Sequence, residues 1–374
     1  MTITRIIAFA AALMAVAISR PSVADDTFEC LSAMAGPVVD VVGTDYVNND
    51  WFWFSNGTRF DARGDIFRSQ SLIEDATKSK YPIDLRAAVV SACWAGGISH
   101  ATDDVNATWL DRKTPASTGF MSQETNIVID GIRIHNAHDG IRPAWGVLPA
   151  SVDFTIRNTW VSYNRDDCIE NDWHAGGLIE DSLFDGCYVF ASATGGTVKS
   201  PELVTIRNSL VYLQKQPGPN GWPDPTILGH GELFKWNALG PDVSIHDSIF
   251  LIEGYAVTDW NADGQPDHSA SALAFKNIRE CSNVTIVWDG PGDFPAAVPA
   301  CVTVTKDRSV WDTARAVWIA AHPLVARIDG IDDAPATVPE HEHAHDHPHN
   351  HTEYMLRQEF IDWCNTQKRT DCPQ

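Results

Sequence analysis

The sequence predicts an all-β chain, folded as a single-stranded parallel β-helix solenoid with short capping helices. Three observations lead there. A strand-like phrase recurs through the middle of the chain, its apolar positions alternate with polar ones, and its anchor isoleucine returns at a solenoid-like period. The anchors stand at 129, 156, 179, 206, 245 and 286, spaced by 27, 23, 27, 39 and 41 residues. A unit of this size cannot bury an apolar face alone, so neighbouring units must stack into one continuous core.

The copies read NIVIDGIRI from Asn126, VDFTIRNTWV from Val152, GLIEDSLF from Gly177, LVTIRNSLV from Leu203 and VSIHDSIF from Val243, with NVTIVW from Asn283 as a degenerate sixth. Their β-branched content and period of two mark strands. Three short strands per unit, joined by turns, would stack about 4.8 Å apart, with loop insertions in the two long units. Stacking in register aligns Asp130, Arg157, Glu180, Arg207 and His246. That column reads as a ladder of opposite charges between coils; the alternative is a row of substrate-binding arginines. The next column, Gly131, Asn158, Asp181, Asn208 and Asp247, reads as turn or ladder residues rather than ligands.

The flanks have their own logic. Residues 1–24 read as a signal peptide: Arg5, an apolar run from Ile6 to Ile18, then the small-x-small site Ser22-Val23-Ala24. Cleavage near Ala24 and a secreted or periplasmic location are expected. No stretch reaches the ~18 apolar residues of a membrane span, so no integral membrane segment is expected. Residues 25–308 form the β-helix domain with an N-terminal cap from Asp26 to Ala35. Residues 309–338 carry a capping helix that starts at a Ser309–Asp312 capping box, repeats Val310, Ala314, Val317, Trp318 and Ala321 at helical spacing, and stops at Pro323. A histidine-rich flexible loop fills 339–352, and a short helix and tail fill 353–374. All eight cysteines follow Ala24, which fits disulfides in an exported chain; sequence neighbours pair, Cys168–Cys187 and Cys364–Cys372 foremost. The formal charge of −22 becomes −24 when Arg5 and Arg20 leave with the signal peptide. Such acidity excludes a general nucleic-acid binder, which needs a basic footprint.

The densest polar cluster is RDDCIENDWH from Arg165 to His174, one coil after HDGIR from His138 to Arg142. Here Asp166-Asp167-Cys168-Ile169 resembles the Asp-Asp-Cys-Ile signature of polygalacturonase-type glycoside hydrolases. Asn136-Ala137-His138-Asp139-Gly140 stands where those proteins carry Asn-Thr-Asp-Gly. The resemblance implies the right-handed parallel β-helix of the pectate-lyase-like and polygalacturonase-like superfamily, an inverting cleavage of glycosidic bonds, and Asp139, Asp166 and Asp167 as the three catalytic aspartates. It covers about Asn126 to Thr194. The expected Gly-His-Gly is replaced by Asp185-Gly186-Cys187-Tyr188, Gly229-His230-Gly231 falls in a later unit, and the Arg-Ile-Lys motif is missing. The chemistry is sound for these residues, because clustered carboxylates split their pKa values into an acid and a base. His138, Arg142, Arg165, Glu170, Asp172 and His174 are candidate substrate-binding or proton-handling residues beside them.

A polysaccharide or glycan is thus the expected partner. The competing chemistry is β-elimination, for which Lys199, Lys235 and Lys276 would form a stacked column facing an anionic sugar. A non-catalytic glycan- or surface-binding protein is the third reading. Two metal sites are expected apart from this cluster. In DWNADGQPD, Asp259, Asn261, Asp263, Gln265 and Asp267 offer hard oxygen donors to Ca²⁺ around a Gly264 turn. In EHEHAHDHPHNH, His341, His343, His345, His347, His349 and His351 suit Zn²⁺, Ni²⁺ or Cu²⁺. Trp145, Trp173, Trp222, Trp236 and Trp260 fall near the polar stretches and are candidates for stacking on sugar rings.

Overall fold

The structure, a computed structural model, describes residues 28–326 apart from 35, 41–45, 48–56, 64, 70–80, 86–90, 102–103, 114–117, 124–125, 145–152, 196, 220–222 and 255–276. The expected signal segment, the expected calcium loop from Asp259 to Asp267, Lys276, the histidines from His341 to His351, Cys364 and Cys372, and Trp145, Trp222 and Trp260 therefore lie outside the described residues.

Strands dominate the described residues, helices are few, and the two large sheets are parallel. One sheet has nine strands in chain order: Val38–Asp40, Thr58–Asp61, Ala92–Ala95, Asn126–Asp130, Asp153–Arg157, Gly176–Glu180, Leu203–Arg207, Asp242–His246 and Ile278–Ser282. The chain leaves each of these for the second, fourteen-stranded sheet and returns after all but the last. Ile129, Ile156, Ile179, Ile206 and Ile245 are successive Cα partners in the first sheet, each 2% exposed or less. Five of the six anchors thus stack as the repeat requires. The sixth does not: Cys281 follows Ile245, whereas Ile286 pairs with Phe250 in the second sheet. The strand Ile278–Ser282 carries Arg279 and Glu280 and lacks the apolar alternation, so the more apolar strand after it imitates the repeat.

The turn column is real and has a backbone cause. Gly131, Asn158, Asp181, Asn208 and Asp247 have φ of 77°, 51°, 44°, 50° and 49°, and Asn283 continues the column at 51°. Glycine, asparagine and aspartate tolerate this left-handed region best. The ion-pair ladder is also present. Arg157 reaches Asp130 at 2.8 Å, Arg207 pairs with Glu180, and His246 continues the column through the Ser282 hydroxyl at 2.8 Å.

A second set of bends shapes the second sheet. Asn136, Tyr163 and Gly186 directly follow the register partners His135, Ser162 and Asp185, and have φ of 57°, 49° and 101°. The pass from Asn126 uses three strands: Asn126–Asp130, Arg133–His135 and Asp139–Arg142. In the next two passes the second and third strands merge into Trp160–Glu170 and Leu183–Ala193, whose registers shift just past the bend. Tyrosine is an unusual residue at positive φ, and here it redirects the chain immediately before Asp166 and Asp167.

Among the described residues three disulfides pin the layers, all between sequence neighbours: Cys30–Cys93, Cys168–Cys187 and Cys281–Cys301. Such bonds are compatible with an oxidising, extracytoplasmic setting. Among the described residues no helix is long and apolar enough to cross a membrane. The helix Glu29–Ala33 brings Cys30 to the first sheet, beside Ala95 and Val128. The helix Ser309–Ala321 covers the second sheet, packing Trp311 and Trp318 onto Trp160, Leu183, Leu210, Leu251 and Val287. Its start differs from the expected Ser309–Asp312 box. Asp307 accepts from the Ser309 amide at 3.0 Å and hydroxyl at 2.6 Å, so the capping carboxylate precedes the helix.

Candidate active site

Two adjoining strands supply the polar cluster. Asp139 opens the strand Asp139–Arg142 just after the Asn136 bend, and Asp166, Asp167 and Glu170 follow the Tyr163 bend. Ile141 and Ile169 are Cα partners and hold the two segments together. The Asp166 amide donates to the His138 carbonyl at 2.7 Å, and Asn164 Nδ2 donates to the carbonyls of His138 and Asp167, each at 2.8 Å. Gly140 has to be glycine: a Cβ there would stand 2.4 Å from the Cys168 carbonyl oxygen. A third segment, Phe234–Trp236, pairs with Leu183–Ala193 and sends Lys235 back to the aspartates.

The side chains converge. His138 Nε2 lies 3.4 Å from Asp166 Oδ2. Lys235 Nζ lies 3.1 Å from Asp167 Oδ2 and 3.8 Å from Asp166 Oδ1. Arg142 bridges Asp139, at 2.7 Å, and Glu170. Two triads, His138–Asp139–Asp166 and Asp139–Asp167–Glu170, each place one potential ligand atom per residue within 4.8 Å of one another. Two of those carboxylates, Asp139 and Asp167, are nearly sealed, whereas Lys235 is 41% exposed, so the cluster opens on the lysine side.

Environment separates the carboxyls. Burial works against ionisation of Asp166, but the hydrogen bond from His138 and the charge of Lys235 outweigh it and hold this carboxyl below its ordinary range. Burial pushes Asp167 well upward, the adjacent Asp166 charge adds to that, and Lys235 only partly opposes it. Burial and then the Asp139 charge push Glu170 up to about 10, against Arg142. Burial disfavours the charged form of Lys235, but Asp167 and Asp166 overcome it and raise its pKa, so the ammonium stays charged. The two adjacent aspartates are thus pulled in opposite directions, Asp166 toward the ionised form and Asp167 toward the protonated one.

Of the residues singled out in the sequence, Asp139, Asp166, Asp167, His138, Arg142, Glu170 and Lys235 come together here. Four others do not. The Arg165 guanidinium is buried among Gln216 Oε1 and the carbonyls of Ala107 and Pro217, tying loops together because its strand turns it away from the cluster. Asp172 Oδ1 accepts from the Thr194 amide at 2.8 Å and hydroxyl at 3.0 Å and shapes a turn. His174 is buried in a left-handed turn at φ 60°. Lys199 pairs with Asp242 at 2.9 Å, so it does not extend a lysine column to Lys235. The His230 ring also points elsewhere, to the carbonyls of Gly231 and Glu253. Trp236 is a packing residue whose indole donates to the Pro241 carbonyl.

Three residues escaped the sequence reading. Trp109 packs its ring 5.8 Å from that of His138, on a helix, Trp109–Lys113, capped reciprocally by Thr108 and Asp111. The Thr-x-x-Asp spacing is a capping signature that would have located the helix but not its target. Tyr81, its phenol raised by burial, feels Arg142, Asp139 and Glu170. Glu232 lies three residues before Lys235 and feels its charge. No protein family, curated protein or solved structure matches the chain.

Proposed function

We propose that the chain is an exported, single-stranded right-handed parallel β-helix protein that hydrolyses glycosidic bonds of a polysaccharide at Asp139, Asp166 and Asp167. One observation carries this reading: two adjacent aspartates in a converging carboxyl cluster have opposite protonation preferences, which is the division of labour that glycoside hydrolysis needs. Ionised Asp166 takes a proton from the attacking water. Protonated Asp167 gives its proton to the glycosidic oxygen as the bond to the anomeric carbon breaks and the water oxygen bonds to that carbon. His138 and Lys235 keep Asp166 ionised, and Arg142 orients Asp139 and balances its charge. Stacked parallel registers, the two turn columns and the ion-pair ladder support the solenoid part of the proposal.

A panel of neutral and acidic polysaccharides, assayed for new reducing ends and for ultraviolet-absorbing unsaturated ends, tests the reaction. Reducing ends without unsaturated ends are expected. Unsaturated ends would replace this reading with elimination, which the exposed charged Lys235 favours as a second reading because it can neutralise a uronate carboxylate. Silence across the panel would leave a glycan-binding protein. Calcium at Asp259, Asn261, Asp263, Gln265 and Asp267, and a transition metal on the histidine-rich run, belong to the same proposal as accessory sites, outside the chemistry.

A further inference from the structure

Glu232 has no role in the chemistry above, yet its surroundings set it apart from the surface carboxylates. Its backbone carbonyl accepts from the Phe190 amide at 3.4 Å, which places it on the segment beside Val189–Phe190. Val189 is in turn the Cα partner of Asp167. Glu232 is thus two strands from Asp167, about 9–10 Å along the stack. Lys235, three residues after Glu232, turns toward Asp167: its ammonium is 3.1 Å from that carboxyl, and its charge acts on Glu232. The Glu232 side chain is part-buried, and among the described residues nothing hydrogen-bonds its carboxyl. Its carboxyl oxygens are not among the sealed unpartnered polar atoms, so they remain open to a ligand's hydroxyl groups.

We infer that Glu232 and Lys235 form a sugar-binding subsite beside the catalytic aspartates, in which the Glu232 carboxyl hydrogen-bonds hydroxyl groups of a sugar next to the one being cleaved. The substrate then lies along the stacking direction, across the strands, with Lys235 spanning the two positions. Burial raises the Glu232 pKa and Lys235 opposes it, and a carboxylate oxygen accepts hydrogen bonds from sugar hydroxyls. This inference rests on the hydrolase reading for the words "being cleaved" but not for the binding itself.

The test separates the two. Asp167→Asn protein, unable to turn over, and the Asp167→Asn/Glu232→Gln double variant are titrated calorimetrically with pooled neutral and acidic oligosaccharides of several residues. In parallel, the exposed carboxyls of wild-type protein are labelled with a carbodiimide and an amine, with and without the same pools, and the peptide carrying Glu232 is read by mass spectrometry. One pool should bind, the double variant should bind it about tenfold more weakly, the value of one lost hydrogen bond at a half-buried group, and that pool should protect Glu232. Equal binding by both variants, unprotected Glu232, or no binding by any pool overturns the subsite. Binding and protection without any cleavage by the wild-type protein would instead sink the hydrolase reading and leave the subsite standing.

Discussion

Replacing Lys235 by methionine removes a cation in contact with both central aspartates while keeping most of its aliphatic volume. Its Nζ stands 3.8 Å from Asp166 Oδ1. Two unit charges at that separation interact by about 1 kcal/mol in a water-like dielectric and by about 4 kcal/mol at an effective constant of 20. Because the lysine side chain is 41% exposed, solvent screening places the effect near the lower figure. About 1 kcal/mol corresponds to a rise of close to one pH unit in the Asp166 pKa. The sign follows from the folded state: Lys235 stabilises the ionised carboxylate, so its loss makes protonation easier and moves the pKa up. The assay is a carboxyl ¹³C titration of aspartate-labelled wild-type and Lys235→Met proteins, with Asp166 assigned through Asp166→Asn. The acid limb of any hydrolytic pH profile should move upward by the same amount. An Asp166 titration unchanged by the substitution would refute the assignment of Lys235 as the charge that holds the base ionised.

Further outcomes follow from the frame around the site. The Cys168→Ala/Cys187→Ala protein, which opens a loop spanning 19 positions, should lose about 3 kcal/mol in a denaturant titration. It should also lose activity disproportionately, since Cys168 adjoins Asp167. Asn208, exposed and at φ 50°, should tolerate glycine with little change in midpoint but lose about 1–2 kcal/mol on replacement by valine. His135 is buried, stacked on His100 at 5.3 Å and near Arg133 and Arg112; burial first, then those neighbours, hold its pKa well below the ordinary value. The unfolded chain therefore takes up a proton before the folded one does. As pH falls below about 6.5 the wild type should lose stability relative to His135→Gln by about 1.4 kcal/mol per pH unit, a trend that urea titrations at several pH values would show or deny.

The repeat was legible because its signal is the core itself. The isoleucines at 129, 156, 179, 206 and 245 recur since each must fill the same place in the stack, and the charges beside them alternate since neighbouring strands face one another. Once Arg279 and Glu280 replaced the apolar pattern, the register was lost to reading by one strand. Within the site, Asp139, Asp166 and Asp167 were legible through their phrase and the coil length that superposes them. Lys235 was found as a charge, but its partner was not: stacking alone lined it up with other lysines, whereas the structure pairs it with Asp167. Arg165 shows the limit of reading by proximity in sequence. It directly precedes Asp166, yet the irregular stretch between Asn164 and Asp167, just past the Tyr163 bend, turns it toward Gln216 and Pro217. Trp109, Tyr81 and Glu232 reach the cluster from segments whose local sequence says nothing about where they land.

The central claim is that Asp166 and Asp167 act as a base and acid pair on a glycosidic bond. The most direct measurement compares reducing-end release from the polysaccharide panel by wild-type, Asp166→Asn and Asp167→Asn proteins, each shown by circular dichroism to be folded. The account predicts release by the wild type and a loss of 10²–10⁴-fold or more in each variant, the usual weight of a positioned proton donor or acceptor. Release that persists undiminished in either folded variant would contradict it.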